Sequence, residues 1–439
     1  MRILTFCVVY KATNLTLHAE NTKSFNQPMK RFFQLLGPGL LYAGAAIGVS
    51  HLVQSTRAGA EFGFELMWVL LAANLLKFPF FEVGSRYVLA TGNNLIQAYN
   101  KEGKWVLWLF LALTVVTMFP ILAALTIVTA GLSNSIFPSD LNAIQTSAIL
   151  LAFTMLVLVI GRFRLLNNMI KVVILILTIS TIIAVVAALG VRENIEEIAT
   201  AQFDWLNKMH ILFLIAFIGW MPAPIDIVVW GSLWSQSKNS ELTQKPSIKE
   251  ALIEFRTGYF GTMFIAAAFL ALGALIMNQR GEELSANGVI FADQLINLYT
   301  SSIGAWAYPV IAIAAFTTML STTITVADAY PRTVRESIHF LFPNSPSRRT
   351  SYFLWMLVLM IGTMVILYQA KSMRFLVDMA TTLSFITAPV LAYLNYRVIT
   401  NKAIPKRFQP ASYLKIWSII GITFLTVFTL FYIIWRFVS

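Results

Sequence analysis

The feature that most constrains this chain is a series of apolar stretches, each long enough to cross a bilayer, that recurs along nearly its whole length. A transmembrane helix needs about 20 apolar residues, and continuous runs of that length predict helices rather than the alternating strands of a β-barrel. The chain is 58% hydrophobic and only 12% charged, which excludes a water-soluble globular protein. An all-α polytopic membrane protein in a lipid bilayer is therefore predicted. It has about eleven transmembrane helices, with spans at about 34–57, 64–89, 105–132, 143–160, 168–190, 209–233, 257–278, 303–329, 351–369, 375–396 and 413–435.

The charges in the connecting segments predict how the chain is oriented. These segments fall into two alternating sets, and one set carries about three times as many Lys and Arg residues as the other. Because cytoplasmic loops are enriched in these residues, the N-terminus is predicted to be cytoplasmic. An odd number of spans then places the C-terminus outside the plasma (inner) membrane. The same asymmetry accounts for most of the net charge of +12, so no nucleic-acid partner is predicted.

Neither a cofactor nor a catalytic centre is expected. One cysteine, Cys7, and four histidines cannot form a multi-cysteine or histidine-rich metal centre. The sequence also lacks a nucleotide-binding loop, a zinc-protease helix and a nucleophile elbow, so an enzyme is not predicted. The partner that remains is a small inorganic or organic solute.

Two of the predicted spans are interrupted at matching positions. The first contains several glycines and, near its middle, Gly48 followed by the polar pair Ser50 and His51, which is poor helix material. The sixth contains Pro222 and Pro224, which remove two backbone donors at mid-span. Two such breaks, five helices apart, are typical of two inverted five-helix repeats with discontinuous helices 1 and 6. Glycines that only permit close helix packing, together with a simple proline kink, are the alternative.

The same pattern predicts how the chain is divided. Inverted repeats place the solute site between their first helices, near the midplane of the membrane. The predicted segments are a cytoplasmic N-terminal tail over 1–32, a first repeat over 33–200, a second repeat over 201–400 and the eleventh helix within 401–439.

The residues around the breaks resemble a known family. The stretches 37–39, 57–64 and 68–75 are similar to the first two helices of the Nramp family of proton-coupled divalent metal transporters. Met221-Pro222 lies where that family has Met-Pro-His on helix 6, and 321–325 resembles its Ser/Thr-rich helix 8. The resemblance extends over about 33–400 and implies the LeuT-like fold of the APC superfamily, alternating access and a divalent metal as cargo.

This chain departs from the family pattern at the residues that bind metal. The family's helix 1 motif is Asp-Pro-Gly-Asn, whereas the matching register here is Gly48-Val49-Ser50-His51. On helix 6 the methionine ligand is retained as Met221, but the motif histidine is replaced by Ala223 and the next one by Val228. The predicted third helix also lacks the acidic residues that the family uses for proton transfer.

The breaks and the resemblance together predict a solute or metal site near the midplane. His51, Met221 and Asp226 offer nitrogen, sulfur and oxygen ligands to a transition metal. A His51 ring bonded to backbone carbonyls, and an Asp226 that only caps the second half of helix 6, are the alternatives. The predicted site consists of Gly48, Ser50, His51, Gln54, the Ile218 carbonyl, Met221 and Asp226.

Polar residues on helices 2 and 8 allow more than one interpretation. Four hydroxyls lie at spacings i, i+3, i+4 and i+7, which places them on one helical face. This face lines a pathway or holds an ion, or else its hydroxyls bond to their own helix or join neighbouring helices. Lys77 is expected to extend to the membrane interface, and a gate salt bridge within the charge cluster of Lys77, Glu82 and Arg86 is the alternative. The predicted pathway or coupling residues on helix 8 are Thr318, Ser321, Thr322, Thr325 and Asp328, the last with Arg332 as an alternative partner.

Three functions are consistent with these observations. The first is a secondary transporter, such as a symporter, that moves a divalent metal by alternating access. The second keeps the fold but carries hydrated magnesium or a small organic solute, which the loss of the helix 1 aspartate and the helix 6 histidines favours. The third is a receptor or scaffold that transports nothing. Uptake of manganese, or of another solute, into proteoliposomes separates the three.

Overall fold

The computed structural model describes residues 38–161, 163–190, 202–241 and 246–438, and these ranges are almost entirely helical, with no strand among them. The predicted tail over 1–32 lies outside the described residues. The main helices are α1 (Pro38–Ala46), α2 (Thr56–Phe62), α3 (Met67–Phe81), α4 (Val83–Thr91), α5 (Leu95–Glu102), α6 (Lys104–Ile136), α7 (Ala143–Ile160), α8 (Phe163–Gly190), α9 (Lys208–Trp220), α10 (Ile227–Glu241), α11 (Ile248–Leu272), α12 (Gly288–Ile303), α13 (Tyr308–Leu341), α14 (Arg348–Gln369), α15 (Met373–Thr400) and α16 (Ser412–Val438).

The helices confirm the predicted fold class. A helical segment lies at the position of each predicted span, and within the described ranges eight helices are long and apolar enough to cross a membrane. Helices α6 and α13 extend beyond their predicted spans, because a helix continues through the polar interface after its apolar stretch ends. The short helix α5 and the amphipathic helix α12 were not predicted. The number of crossings, the orientation and the boundaries at 33–200, 201–400 and 401–439 stay predictions.

Both predicted interruptions are present. Helix α1 ends at Ala46, a π-helical turn follows over Ser50–Ser55, and α2 continues from Thr56. Helix α9 ends at Trp220, and α10 begins six residues after Met221, at Ile227. Helix 1 is therefore α1, the turn and α2, and helix 6 is α9 and α10.

Helices 1 and 6 lie in the buried centre of the bundle. Helix α1 packs on α11 and α13, α9 packs on α15, and α6 contacts both α13 and α15. The apolar side chains of α16 instead face outwards, as at Ile416 and Ile434. An exposed apolar surface of this kind is expected where a helix contacts lipid.

The second half of helix 1 lies unusually close to the end of α11. Gly59 faces the Leu270 carbonyl and Gly273 faces the Thr56 carbonyl, and a Cβ at either glycine would overlap the opposite backbone. Such glycine contacts allow transmembrane helices to approach closely. These contacts hold the π-helical turn, which immediately precedes α2, against the end of α11.

Candidate functional site

Side chains bond the free backbone carbonyl groups at the break in helix 1. Helix termini leave carbonyl groups without partners, and in an apolar interior these need a donor. The Thr322 hydroxyl on α13 lies 3.1 Å from the Gly44 carbonyl oxygen and 3.2 Å from that of Ile47. The Ser50 hydroxyl donates to the Ala46 carbonyl at 2.6 Å. Thr322 therefore joins helix 8 to the break, and its hydroxyl also lies 3.0 Å from the Thr318 carbonyl oxygen of its own helix.

His51 is fully buried, and both of its ring nitrogens contact protein atoms. Nε2 lies 3.0 Å from the carbonyl oxygen of Thr262 on α11, and Nδ1 lies 2.7 Å from the Ser50 hydroxyl. Because a carbonyl only accepts, Nε2 carries the proton in this arrangement. His51 thus links helix 1 to α11, and a metal would reach Nδ1 only after displacing Ser50.

Met221 joins the two broken helices directly. It is fully buried at the end of α9, and the Ser55 hydroxyl of helix 1 lies 3.7 Å from its sulfur. One residue before Ser55, the Gln54 amide nitrogen lies 3.4 Å from a carboxylate oxygen of Asp378 on α15. The Gln54 side-chain oxygen is buried without a hydrogen-bond partner among the described residues. Helix 1 and helix 6 therefore meet at Ser55, which follows the predicted Gln54, and at the predicted Met221.

The carbonyl groups at the end of α9 are occupied by a side chain that the sequence did not place there. The Lys77 ammonium on α3 donates to the carbonyl oxygens of Ile218 at 2.6 Å and Gly219 at 2.9 Å. Only 1% of Lys77 is exposed, so the expectation that it extends to the interface was wrong. The one feature of the sequence that could have indicated this contact is the position of Lys77, an ionisable residue near the middle of a predicted span.

Asp226 lies immediately before α10 and is 5% exposed. One carboxylate oxygen accepts a hydrogen bond from the Tyr330 hydroxyl at 2.9 Å. The other is buried, and no partner of good geometry approaches it within the described ranges. The carboxylate also lies beside the backbone N–H groups of Asp226 and Ile227. Both predicted roles, helix cap and charge partner of a cation, therefore still apply to this residue.

The polar face of helix 8 divides into three parts. Thr322 contacts helix 1, as described above. Thr318 and Ser321 are buried with hydroxyls that have no partner among the described residues, and Thr325 is also buried. Asp328 accepts from Arg332 at 2.7 Å and from the Tyr352 hydroxyl at 2.6 Å, so both of its carboxylate oxygens are occupied.

A small cavity lies between the two breaks, and its walls are mostly apolar. It is bordered by Gly48 and Ser50 of helix 1, by Trp220 and Pro224 of helix 6, and by residues of α6, α10 and α13. Pro222 follows Met221 in the same unwound segment, and the peptide bond between the two is cis. In the part of the chain that the structure describes, no three His, Cys, Asp or Glu side chains cluster as a metal site would require.

Ion pairs near the end of α2 join helix 1 to α15, and they were not predicted from the sequence. Arg57 of α2 binds Asp378 of α15 at 2.8 Å and Glu61 at 2.8 Å, and Arg374 binds Glu61 at 2.5 Å. The Arg57 guanidinium also lies over the Phe213 ring of α9, 4.4 Å from its centroid. These contacts join helix 1, helix 6 and α15 at the end of the bundle that is predicted to face outside.

We expect this cluster to limit solvent access to the buried centre of the bundle at that end. Asp378→Asn removes one partner of a charge-assisted bond and should raise the open fraction about tenfold. The measurement is the alkylation rate of Thr381→Cys, which lies one turn deeper on α15, with the native cysteine removed. Glu102→Gln breaks the Arg397 pair elsewhere in the molecule and serves as the control. An alkylation rate that is equal in both variants would contradict the prediction.

Comparison with known proteins identifies the family of this chain. A family model described as Natural resistance-associated macrophage protein-like (Nramp) matches residues 39–435. An uncharacterized protein of Pasteurella multocida is 35% identical, with 99% of this chain and 98% of that protein covered. The divalent metal cation transporter MntH of Mesorhizobium japonicum is 23% identical, over 92% of this chain and 89% of that protein.

Solved structures share the arrangement of helices. A mutant of the Eremococcus coleocola manganese transporter has a TM-score of 0.70 at 14% identity, covering 92% of this chain and 87% of that one. The nucleobase-cation-symport-1 transporter Mhp1 has a TM-score of 0.57 at 13% identity, covering 91% and 92%. At these identities the likeness establishes the fold.

Proposed function

The chain belongs to the Nramp family of integral membrane transporters, and from that premise we propose that it moves a divalent metal cation across the membrane by alternating access. The observation that carries the proposal is the meeting of the two broken helices at Ser55 and Met221, next to Trp220, which borders the cavity between the breaks. Unwound backbone within a membrane is tolerated where it is buried in protein or lines a cavity, and discontinuous helices of this kind form transport sites.

The predicted ligands have distinct parts in this proposal, and the Ile218 carbonyl is one of them. Met221 offers a soft thioether sulfur, and Ser50, His51 and Gln54 offer neutral groups along helix 1. Asp226 balances the charge of the cargo, because it is the carboxylate beside the helix 6 break. Coupling to an ion gradient, as in a symporter, and the predicted orientation with a cytoplasmic N-terminus belong to the same proposal.

Metal uptake into proteoliposomes tests the function. We expect time-dependent uptake of manganese and cadmium by the wild-type protein. Met221→Leu keeps the apolar volume but removes the sulfur, so cadmium affinity should fall about tenfold and manganese affinity less, because thioethers prefer soft metals. The matched control is Met356→Leu, at an equally buried methionine in α14, outside both broken helices.

Absence of manganese and cadmium flux, from protein that is folded and correctly inserted, would exclude the metal as cargo. Equal effects of Met221→Leu and Met356→Leu would leave transport intact but remove Met221 from the site. The two results are separate, since the first uses only the wild-type protein.

A second cargo has specific support. The walls of the cavity are mostly apolar, Gly48 stands in the register of the family's metal-binding aspartate, and Lys77 already holds the Ile218 carbonyl. A small organic solute needs fewer charged ligands than a divalent ion, and hydrated magnesium is bound through its water shell. Uptake of such a solute without manganese flux is the result that favours this version.

A further inference from the structure

Lys77 is a buried cation held by the broken end of helix 6. Its ammonium contacts the Ile218 carbonyl oxygen at 2.6 Å and the Gly219 carbonyl oxygen at 2.9 Å, and 1% of the residue is exposed. No carboxylate of the described residues forms an ion pair with it, in contrast to Glu82 one turn further along, which binds Arg86 and Arg256.

The end of α9 is suited to a cation for physical reasons. The last carbonyls of a helix have no partners within the helix, and the helix dipole makes that end negative. In membrane transporters, such half-helix ends and unwound carbonyls coordinate ions. A lysine without a carboxylate partner is otherwise unfavourable inside a membrane. These carbonyls and the Lys77 ammonium therefore form a complete cation site whose occupant is part of the chain.

We propose that Lys77 is a specificity-determining residue, a tethered cation that competes with the cargo for the Ile218 carbonyl. The inference rests on the proposed function, in which that carbonyl is one of the cargo ligands. A metal ion and an ammonium cannot share one carbonyl at bonding distance, because two positive charges so close together in a weakly polarisable interior repel strongly. Cargo reaches this ligand only when Lys77 moves away, so Lys77 weakens the binding of every small cation at the break.

The experiment is a manganese titration of purified, reconstituted protein carrying Lys77→Leu, which removes the charge without adding a metal-binding sulfur. We expect manganese affinity to rise about tenfold or more, since a repelling charge is lost. Lys77→Gln retains hydrogen-bond donors for the carbonyls and should give a smaller rise, and it decides the outcome where Lys77→Leu does not fold. Lys415→Leu removes a cation that binds Gln409 at the end of the bundle and should leave the affinity unchanged.

A small ammonium ion added from solution gives a second readout, which a purely structural role for Lys77 would not affect. In Lys77→Ala, methylammonium should occupy the vacated site and weaken manganese binding, whereas tetramethylammonium, which has no N–H group, should not. Neither ion should affect the wild-type protein. Equal responses to the two ions in Lys77→Ala would contradict a site built from carbonyl acceptors.

The wild-type protein supplies a test that needs no variant. Reductive methylation of Lys77, read by mass spectrometry, should be slow in the absence of metal and faster once manganese is bound. A folded Lys77→Leu or Lys77→Gln with unchanged or weaker manganese affinity overturns the inference, whatever the wild-type protein transports. Manganese binding that appears only in the variants supports the inference and contradicts metal transport by the wild-type protein.

Discussion

Gly59→Ala is expected to destabilise the protein more than any other single-methyl change that the structure suggests. The added Cβ would overlap the Leu270 carbonyl oxygen and crowd the Ala274 amide, both of which are backbone atoms and cannot turn aside. Overpacking normally costs about 1–3 kcal/mol when side chains adjust, and here the helices themselves must separate, so we expect roughly 3 kcal/mol or more. The measurement is the thermal denaturation midpoint in detergent, together with the fraction of monodisperse protein.

Gly261→Ala is the matched control. Gly261 lies in α11, and a Cβ there meets no atom within 4 Å. Alanine is the better helix former by roughly 0.5–1 kcal/mol, so this variant should be as stable as the wild-type protein or slightly more stable. Similar losses in both variants would mean that the close approach of helix 1 to α11 does not contribute to stability.

Much of the fold was predictable because its strongest signals are local. Apolar stretches locate helices by length alone, and Pro222 and Pro224 interrupt a helix wherever it is packed. The break near Gly48 was also predictable from local sequence, because glycines and a polar pair are unfavourable in the middle of a helix. By contrast, α5 and α12 were missed, since short or mixed polar and apolar segments carry no such length signal. Their positions depend on the helices that they contact.

The candidate site was only partly predictable because its contacts join distant parts of the chain. Ser55 and Met221 were brought together by the fold that the breaks implied. The bond from Lys77 to Ile218, however, depends on the register of α3 against α9, which no local pattern specifies. Arg57 and Asp378 are separated by 321 residues, and no local pattern indicates that they form a pair.

The partners of His51 show the same dependence on packing. An imidazole at a helix break was predicted either to bind a metal or to bond backbone carbonyls. In the structure its ring bonds the Thr262 carbonyl of α11, and that choice follows from how closely α11 approaches helix 1. The residue type shows which bonds a side chain can form. Which partner it binds depends on the helix that packs against it.

Asp226→Asn is the change expected to affect transport most. Asparagine caps a helix about as well as aspartate and still accepts a hydrogen bond from Tyr330, so the fold should be preserved. What it lacks is the negative charge. If the carboxylate balances the charge of a divalent cargo within the membrane, its loss should lower the uptake rate roughly 100-fold, in line with 3 kcal/mol for an unpaired buried charge. The thermal midpoint should change little.

Tyr330→Phe separates charge from hydrogen bonding at the same carboxylate. It removes the donor at 2.9 Å and leaves the charge, so manganese uptake should fall far less than in Asp226→Asn. Full manganese uptake by a stable Asp226→Asn would identify Asp226 as a helix cap. The second carboxylate oxygen of Asp226, which Tyr330 does not contact, has no partner of good geometry in the described ranges. A cap alone leaves this buried oxygen unexplained, whereas a cation that visits the break supplies its missing partner.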